Sequence, residues 1–210
     1  MSGAASNAGA PGQAPEEMAR ANIYGLIGRL FYVAPDQQML SELVHTPDGP
    51  EPAEALTARG REHVESWASV VEACRSAFPI LLENEHTELF AAPGKAPVTP
   101  YLMHYVIRYE SETPLVALRE QLLRWGLGRR AGAVEPEDHI CALCEVMRVA
   151  IAVQQRSLQE QKTFFERFLY RGAIGFCDAV SVSPNANFYR RLARFAKAFF
   201  ELENEAFLNL

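Results

Sequence analysis

The sequence predicts an all-α fold: a single globular helical domain. Apolar residues recur at three- and four-residue steps through almost every segment, and prolines, glycines and Asp or Thr caps punctuate those segments. No convincing stretch alternates apolar with polar residues as a half-buried strand would, and no repeat of fixed period is present. A chain of 210 residues, 49% of them hydrophobic, can bury one sizeable core and does not require two domains.

Residues 1–15 are Ala, Gly, Ser and Pro without periodicity, so they are expected to form a disordered tail, leaving 16–210 as the helical domain. From Glu16 onward Ile23, Leu26, Ile27, Leu30 and Phe31 make one apolar face, and Pro35 ends the segment. Asp36 then reads as the cap of a short helix with Met39, Leu40, Leu43 and Val44 facing inward. TPDGPEPA, residues 46–53, is a loop by its prolines and glycine. Two helices should follow, one carrying Val64, Trp67, Val71 and Cys74, the other resuming after Pro79 with Leu81, Leu82, Leu89 and Phe90.

AAPGKAPVTPY, residues 91–101, has too many prolines for a helix and is expected to be a long structured loop. Thr113 and Pro114 repeat the cap-plus-proline start. Leu115, Leu118, Leu122 and Trp125 give the next apolar face, which Gly126 closes. After the connection LGRRAGAV comes EPEDHICALCEVM, residues 135–147. Here Pro136 suits a first helical position, Glu135, Glu137 and Asp138 complement the helix dipole, and Ile140, Leu143, Cys144, Met147 and Ile151 form the buried face. The helical pattern then runs toward Tyr170 with a break near residues 154–157, and a last helix from Phe188 to about Phe207 presents Leu192, Phe195, Phe199 and Phe200.

Composition excludes several function classes. With 26 acidic against 20 basic residues the formal charge is −6, which disfavours nucleic acid or an anionic membrane as partner and suits a cationic peptide. No apolar run approaches the roughly 18 residues of a membrane span, and residues 1–14 lack the basic start and apolar centre of a signal peptide, so a cytoplasmic protein is expected. Four irregularly spaced cysteines do not make a disulfide framework. Cys141 and Cys144 form a C-x-x-C, but a structural zinc site needs four ligands and Cys74 and Cys177 are isolated, so packing is expected and no metal or cofactor. No phosphate-binding glycine loop or G-x-S-x-G elbow is present, and His45, His63, His86 and His104 are scattered without ligand spacing. Phe164, Phe165, Phe168, Phe195, Phe199 and Phe200, at helical spacing, are expected in the core.

Asp138 and His139 have two readings. One is a helix cap with a surface side chain; the other is a polar pair at the edge of an apolar groove, where a carboxylate accepts from a cationic ligand.

Three stretches together resemble one family, the TorD/DmsD/NarJ-type cytoplasmic chaperones that mature molybdoenzymes. ANIYGLIGRLFYVAPD is similar to the family's opening helix, ELFAAPGKAPVTPYLMHY to its Leu-Phe, Pro-Gly and Pro-Tyr loop, and EPEDHICALCEVM to its Asp-His signature with Glu145 and Met147 following. FFERFL and FYRRLARFAKAFFELE continue the match in order, so the resemblance covers nearly the whole chain from about Arg20. Departures are Leu102 and Met103 where the family carries an acidic and a small residue, Phe168 at a histidine position, and Arg171 and Gly172 at a Pro-Trp position. Cys141 follows Asp-His-Ile, and Leu143 replaces a residue that is often acidic.

The resemblance implies a TorD-like fold of about eight to eleven helices, no catalysis, and binding of the twin-arginine signal peptide or apo form of a molybdoenzyme catalytic subunit until cofactor insertion is complete. Carried over by position, the implied peptide-binding residues are Asp138, His139, Tyr24, Pro100 and Tyr101. An arginine pair followed by an apolar stretch needs a carboxylate beside a hydrophobic groove, and Glu137 with Asp138 supplies the charge, Tyr24 and Tyr101 the walls. Nucleic acid and membrane insertion are not expected, and the chain is expected to be a monomer or homodimer. Two other readings stand beside this one: the same fold gripping the mature N-terminus of a non-exported client, or a helical nucleotide- or metal-binding module.

Overall fold

A computed structural model of the chain describes residues 14–46, 57–91, 96–106, 114–128 and 136–210. The expected tail up to residue 13, residues 47–53 of the expected loop, the Thr113 cap, Glu135 and most of the connection after Leu127 lie outside the described residues. No strand occurs among the described residues, and the elements are helices, as the periodicity predicts: α1 (Pro15–Tyr32), α2 (Gln37–His45), α3 (Ala58–Arg75), α4 (Pro79–His86), α5 (Pro114–Arg124), α6 (Ile140–Ala152), α7 (Leu158–Phe164), α8 (Arg171–Val182) and α9 (Phe188–Leu208).

Local chemistry accounts for most boundaries. Pro15 and Pro79 occupy first-turn positions of α1 and α4, where a missing N–H costs nothing. Asp36 caps α2 by accepting from Met39 N–H at 2.8 Å. Gly126, at φ +67°, ends α5: its own N–H reaches the Leu123 carbonyl while Leu127 N–H reaches that of Leu122, the paired bonds of a Schellman stop. The expected break after α6 is real. Gln155 takes φ +48°, and Ser157 with Glu160 then forms a reciprocal capping box for α7. The start of α9 has no cap of its own; the Glu85 carboxylate, from α4, accepts from the N–H groups of Asn187, Phe188 and Tyr189.

Three features differ from the sequence reading. Leu81 is 60% exposed rather than inward, because it neighbours buried Leu82 and adjacent residues of a helix point about 100° apart. The helical run does not end at Tyr170 but continues to Val182. Between α7 and α8 it widens into a π-helix over Phe165–Tyr170, and a second π-turn, Thr87–Ala91, extends α4. The first widening lets two adjacent pairs, Phe164–Phe165 and Phe168–Leu169, all face inward.

The helices pack as α1 against α6, and α9 against α3 and α8. Aromatic rings join these layers: Tyr24 meets Phe199 edge-on at 4.9 Å, Phe31 meets Phe176 at 4.9 Å, and Trp125 of the α5 stop stacks on Phe164 at 5.0 Å. All six phenylalanines of the expected stripe are buried. At the α3–α9 contact the His63 ring stacks on Phe195 at 5.0 Å, with Nδ1 buried and unpartnered. Burial pushes the His63 pKa down to about 4. Between that value and the ordinary 6.5 the unfolded chain binds the proton and the folded one does not, so stability falls as pH drops through this window and levels off below it. Unfolding free energies from urea denaturation between pH 7 and 4 should fall by roughly 1–2 kcal/mol in excess of the decline seen in His63→Phe; equal declines would show that burial does not shift the His63 titration.

Candidate functional site

The loop ahead of α5 and the start of α6 are stitched together through their backbones. Ile140 N–H donates to the Pro100 carbonyl and Leu102 N–H to the Asp138 carbonyl, both at 2.9 Å, so Tyr101 and His139 form an isolated antiparallel bridge. This pairing keeps His139 extended, at φ −61° and ψ 136°, and delays α6 to Ile140. Pro136 is therefore not the first helical residue, and Glu137 and Asp138 stand in a turn before the helix rather than in its first turn. The pull of the facing loop outweighs the local start signal.

Both members of the Asp-His pair are committed to this joint. His139 is the cap of α6, its Nδ1 accepting from Cys141 N–H at 3.1 Å, which leaves the proton of the neutral ring on Nε2. Asp138 Oδ2 accepts from Met103 N–H at 3.4 Å. Desolvation raises the Asp138 pKa, opposed by the N–H groups of Asp138 and Met103. At 7% and 6% exposure, Asp138 and His139 are buried, so the cap reading holds for His139 but the surface reading does not.

Around the buried pair lies a partly open rim. The His139 ring meets Tyr101 at 5.7 Å and Tyr32, the last residue of α1, at 6.0 Å, both nearly perpendicular. Tyr32 is 55% exposed and Tyr101 half-buried. Glu137 contributes a carboxylate paired with Arg119 of α5 at 3.2 Å. Below the loop, the 3-10 turn Leu102–Tyr105 packs on α8.

Of the six residues singled out from the sequence, five converge here: Pro100, Tyr101, Glu137, Asp138 and His139. Tyr24 does not. It is fully buried between α1 and α9, its hydroxyl donating to Glu203 at 3.0 Å, and it lines no surface groove. Its phenol is pushed well above the ordinary value, chiefly by burial. Tyr32 and Arg119 belong to the rim and carry no motif of their own; the only sequence signal for Tyr32 is its place at the end of the Leu-Phe-Tyr run.

Cys144 is fully buried in the face α6 turns to α1, and burial raises both its thiol and that of Cys141, which holds them protonated. All four cysteines are free, and no group of three or more His, Cys, Asp or Glu side chains converges as a metal site among the described residues. No described helix is long and apolar enough to cross a membrane. The arrangement offers an aromatic, hydrogen-bonding surface with a carboxylate at its edge, suited to a cationic, partly apolar chain segment.

Known proteins resemble the chain in sequence and in fold. The profile of the nitrate reductase delta subunit family matches residues 53–178, which include the loop and the Asp-His turn. Chaperone protein TorD of Shewanella loihica is 26% identical over 212 residues, spanning 92% of this chain and 95% of its own. In three dimensions the chain resembles a protein from Archaeoglobus fulgidus described as a redox enzyme maturation protein, with a TM-score of 0.54 over 94% of this chain and 99% of that one at 16% identity, a likeness of fold. With more than half of its length matched, the chain belongs to the nitrate reductase delta subunit family, the NarJ/TorD group of redox-enzyme maturation chaperones, which are not enzymes.

Proposed function

We propose that the rim around His139 binds the twin-arginine signal peptide of a molybdoenzyme catalytic-subunit precursor, in the cytoplasm, and holds the apo form until the molybdenum cofactor is inserted. The observation that carries this reading is the Tyr101–His139 bridge, which sets Tyr101 beside the turn that bears Glu137, while Tyr32 at the end of α1 meets the same His139 ring. An arginine guanidinium matches a carboxylate fork, and the apolar stretch that follows it matches amphipathic rings. In this reading Glu137, Tyr101 and Tyr32 touch the peptide, whereas Asp138, His139 and Pro100 position them.

Calorimetric titration with synthetic signal peptides tests it. One peptide should bind, and changing its two arginines to alanine should weaken binding at least about ten-fold, since hydrogen bonds to charged groups contribute roughly 1.5–3 kcal/mol. Tyr32→Ala, at an exposed position, should weaken binding about three- to ten-fold with helicity unchanged. A client segment that binds equally well without its arginines would favour recognition of a mature N-terminus instead.

A further inference from the structure

In the free protein the Glu137 carboxylate already faces a guanidinium. Arg119 Nη2 lies 3.2 Å from Glu137 Oε2; the arginine side chain is 51% exposed, whereas that of Glu137 is only 11% exposed. The two come from different elements, α5 and the turn before α6, so the pair is a tertiary contact and not a helical i,i+4 pair. α5 has anchors other than Arg119. Its neighbour Leu118 is fully buried, and the end of the helix is anchored by Trp125, stacked on Phe164, lying 4.5 Å from the Arg156 guanidinium and bonded at its carbonyl by Gln154. What Arg119 does is supply Glu137 with the same chemical group that an arginine-bearing client would bring.

We propose that Arg119 is an internal competitor for the client's arginine: it occupies Glu137 in the free protein and must give way before a guanidinium from outside can pair there. The inference rests on the peptide-binding reading above and adds a residue and a direction of effect to it. Exchanging one guanidinium for another keeps the largely hidden carboxylate compensated throughout, and the displaced Arg119, 51% exposed, is released to water. It also sets a threshold. A partner lacking a guanidinium gains nothing from the site to offset the loss of the Arg119 pair.

The test is a double-mutant cycle by titration at low salt, using a synthetic peptide with paired arginines followed by an apolar stretch, and wild-type protein, Arg119→Gln, Glu137→Gln and the double variant. Because a partly exposed ion pair contributes up to about 1 kcal/mol, Arg119→Gln should tighten binding by up to about five-fold. Glu137→Gln should weaken it, and the double variant should bind like Glu137→Gln alone, since Arg119 has nothing left to compete for. Arg119 sits on the exposed side of its helix, and circular dichroism is the check on the fold of each variant. If wild-type protein binds and Arg119→Gln binds equally or more weakly, the competitor role is overturned while the peptide-binding reading stands. If no variant, Arg119→Gln included, binds any arginine peptide, that reading falls and the competitor role falls with it.

Discussion

Gly172→Ala is expected to lower the melting temperature by roughly 4–8 °C and to abolish peptide binding, although alanine is ordinarily the better helix former by about 1 kcal/mol. A methyl at Gly172 would lie 2.7 Å from both the Cβ and the carbonyl oxygen of Leu102, and 3.1 Å from its carbonyl carbon. Backbone cannot rotate out of the way as a side chain can, so either α8 or the 3-10 turn must move, and overpacking of this kind costs about 1–3 kcal/mol. The displacement reaches the site directly. Leu102 N–H holds the Asp138 carbonyl and Met103 N–H its carboxylate, so shifting the turn pulls on the joint that sets His139 and Tyr101. Gly175→Ala tests the other end of the turn: its methyl would lie 2.8 Å from Tyr105 Cβ, an atom fixed to the backbone of the 3-10 turn, and the Tyr105 side chain is tethered by its hydroxyl to the Thr99 carbonyl at 2.9 Å. A loss of about 1–3 kcal/mol is expected there too, with binding weakened rather than lost because the bonds to Asp138 come from Leu102 and Met103. A raised melting temperature for Gly172→Ala would mean that the turn does not press on α8 in solution.

The same glycines explain why part of the fold was illegible. Residues 171–182 read RGAIGFCDAVSV, and two glycines inside the segment lower its helical signal; they are tolerated because the loop seventy residues earlier needs the space. Segments whose information is local were legible: the apolar stripes of α1, α6 and α9, the Asp36 cap and the Gly126 stop all read directly from spacing and residue type. Contacts set by distant partners were not. α6 starts four residues later than Pro136 signals, because Pro100 and Leu102 take the backbone groups of Ile140 and Asp138. The cap of α9 comes from Glu85, and the resemblance alone places Tyr24 at a groove, since nothing near it in sequence announces its partner Glu203. Five of the six candidate residues did meet, since the loop and the Asp-His turn are each recognisable and the fold brings them together. Burial separates them: Asp138 and His139 turn inward, and Glu137 and Tyr101 stay at the rim.

Glu203 is the other position where a single change should be costly. Its side chain, 6% exposed, accepts from Arg20 Nε at 2.8 Å and Nη2 at 2.7 Å, and from the Tyr24 hydroxyl at 3.0 Å. This one carboxylate of α9 therefore satisfies two groups of α1, one a charge and the other a fully buried phenol. Glu203→Ala strands both. Breaking a buried ion pair typically costs 3–5 kcal/mol, and Arg20, with 22% of its side chain exposed, recovers some hydration, so a loss of about 3 kcal/mol is expected in urea denaturation. Glu203→Gln keeps an acceptor for Tyr24 and should lose only about 1–2 kcal/mol. The decisive comparison is the double variant Arg20→Met with Glu203→Met, which removes the charge pair together and leaves only the Tyr24 hydroxyl unpartnered. It should recover more than half of the loss, because an intact buried ion pair adds little over apolar packing of similar size. Were the double variant as unstable as Glu203→Ala, the network would itself be holding α1 onto α9, and the edge-on contact of Tyr24 with Phe199 would be a consequence of that bond instead of an independent source of stability.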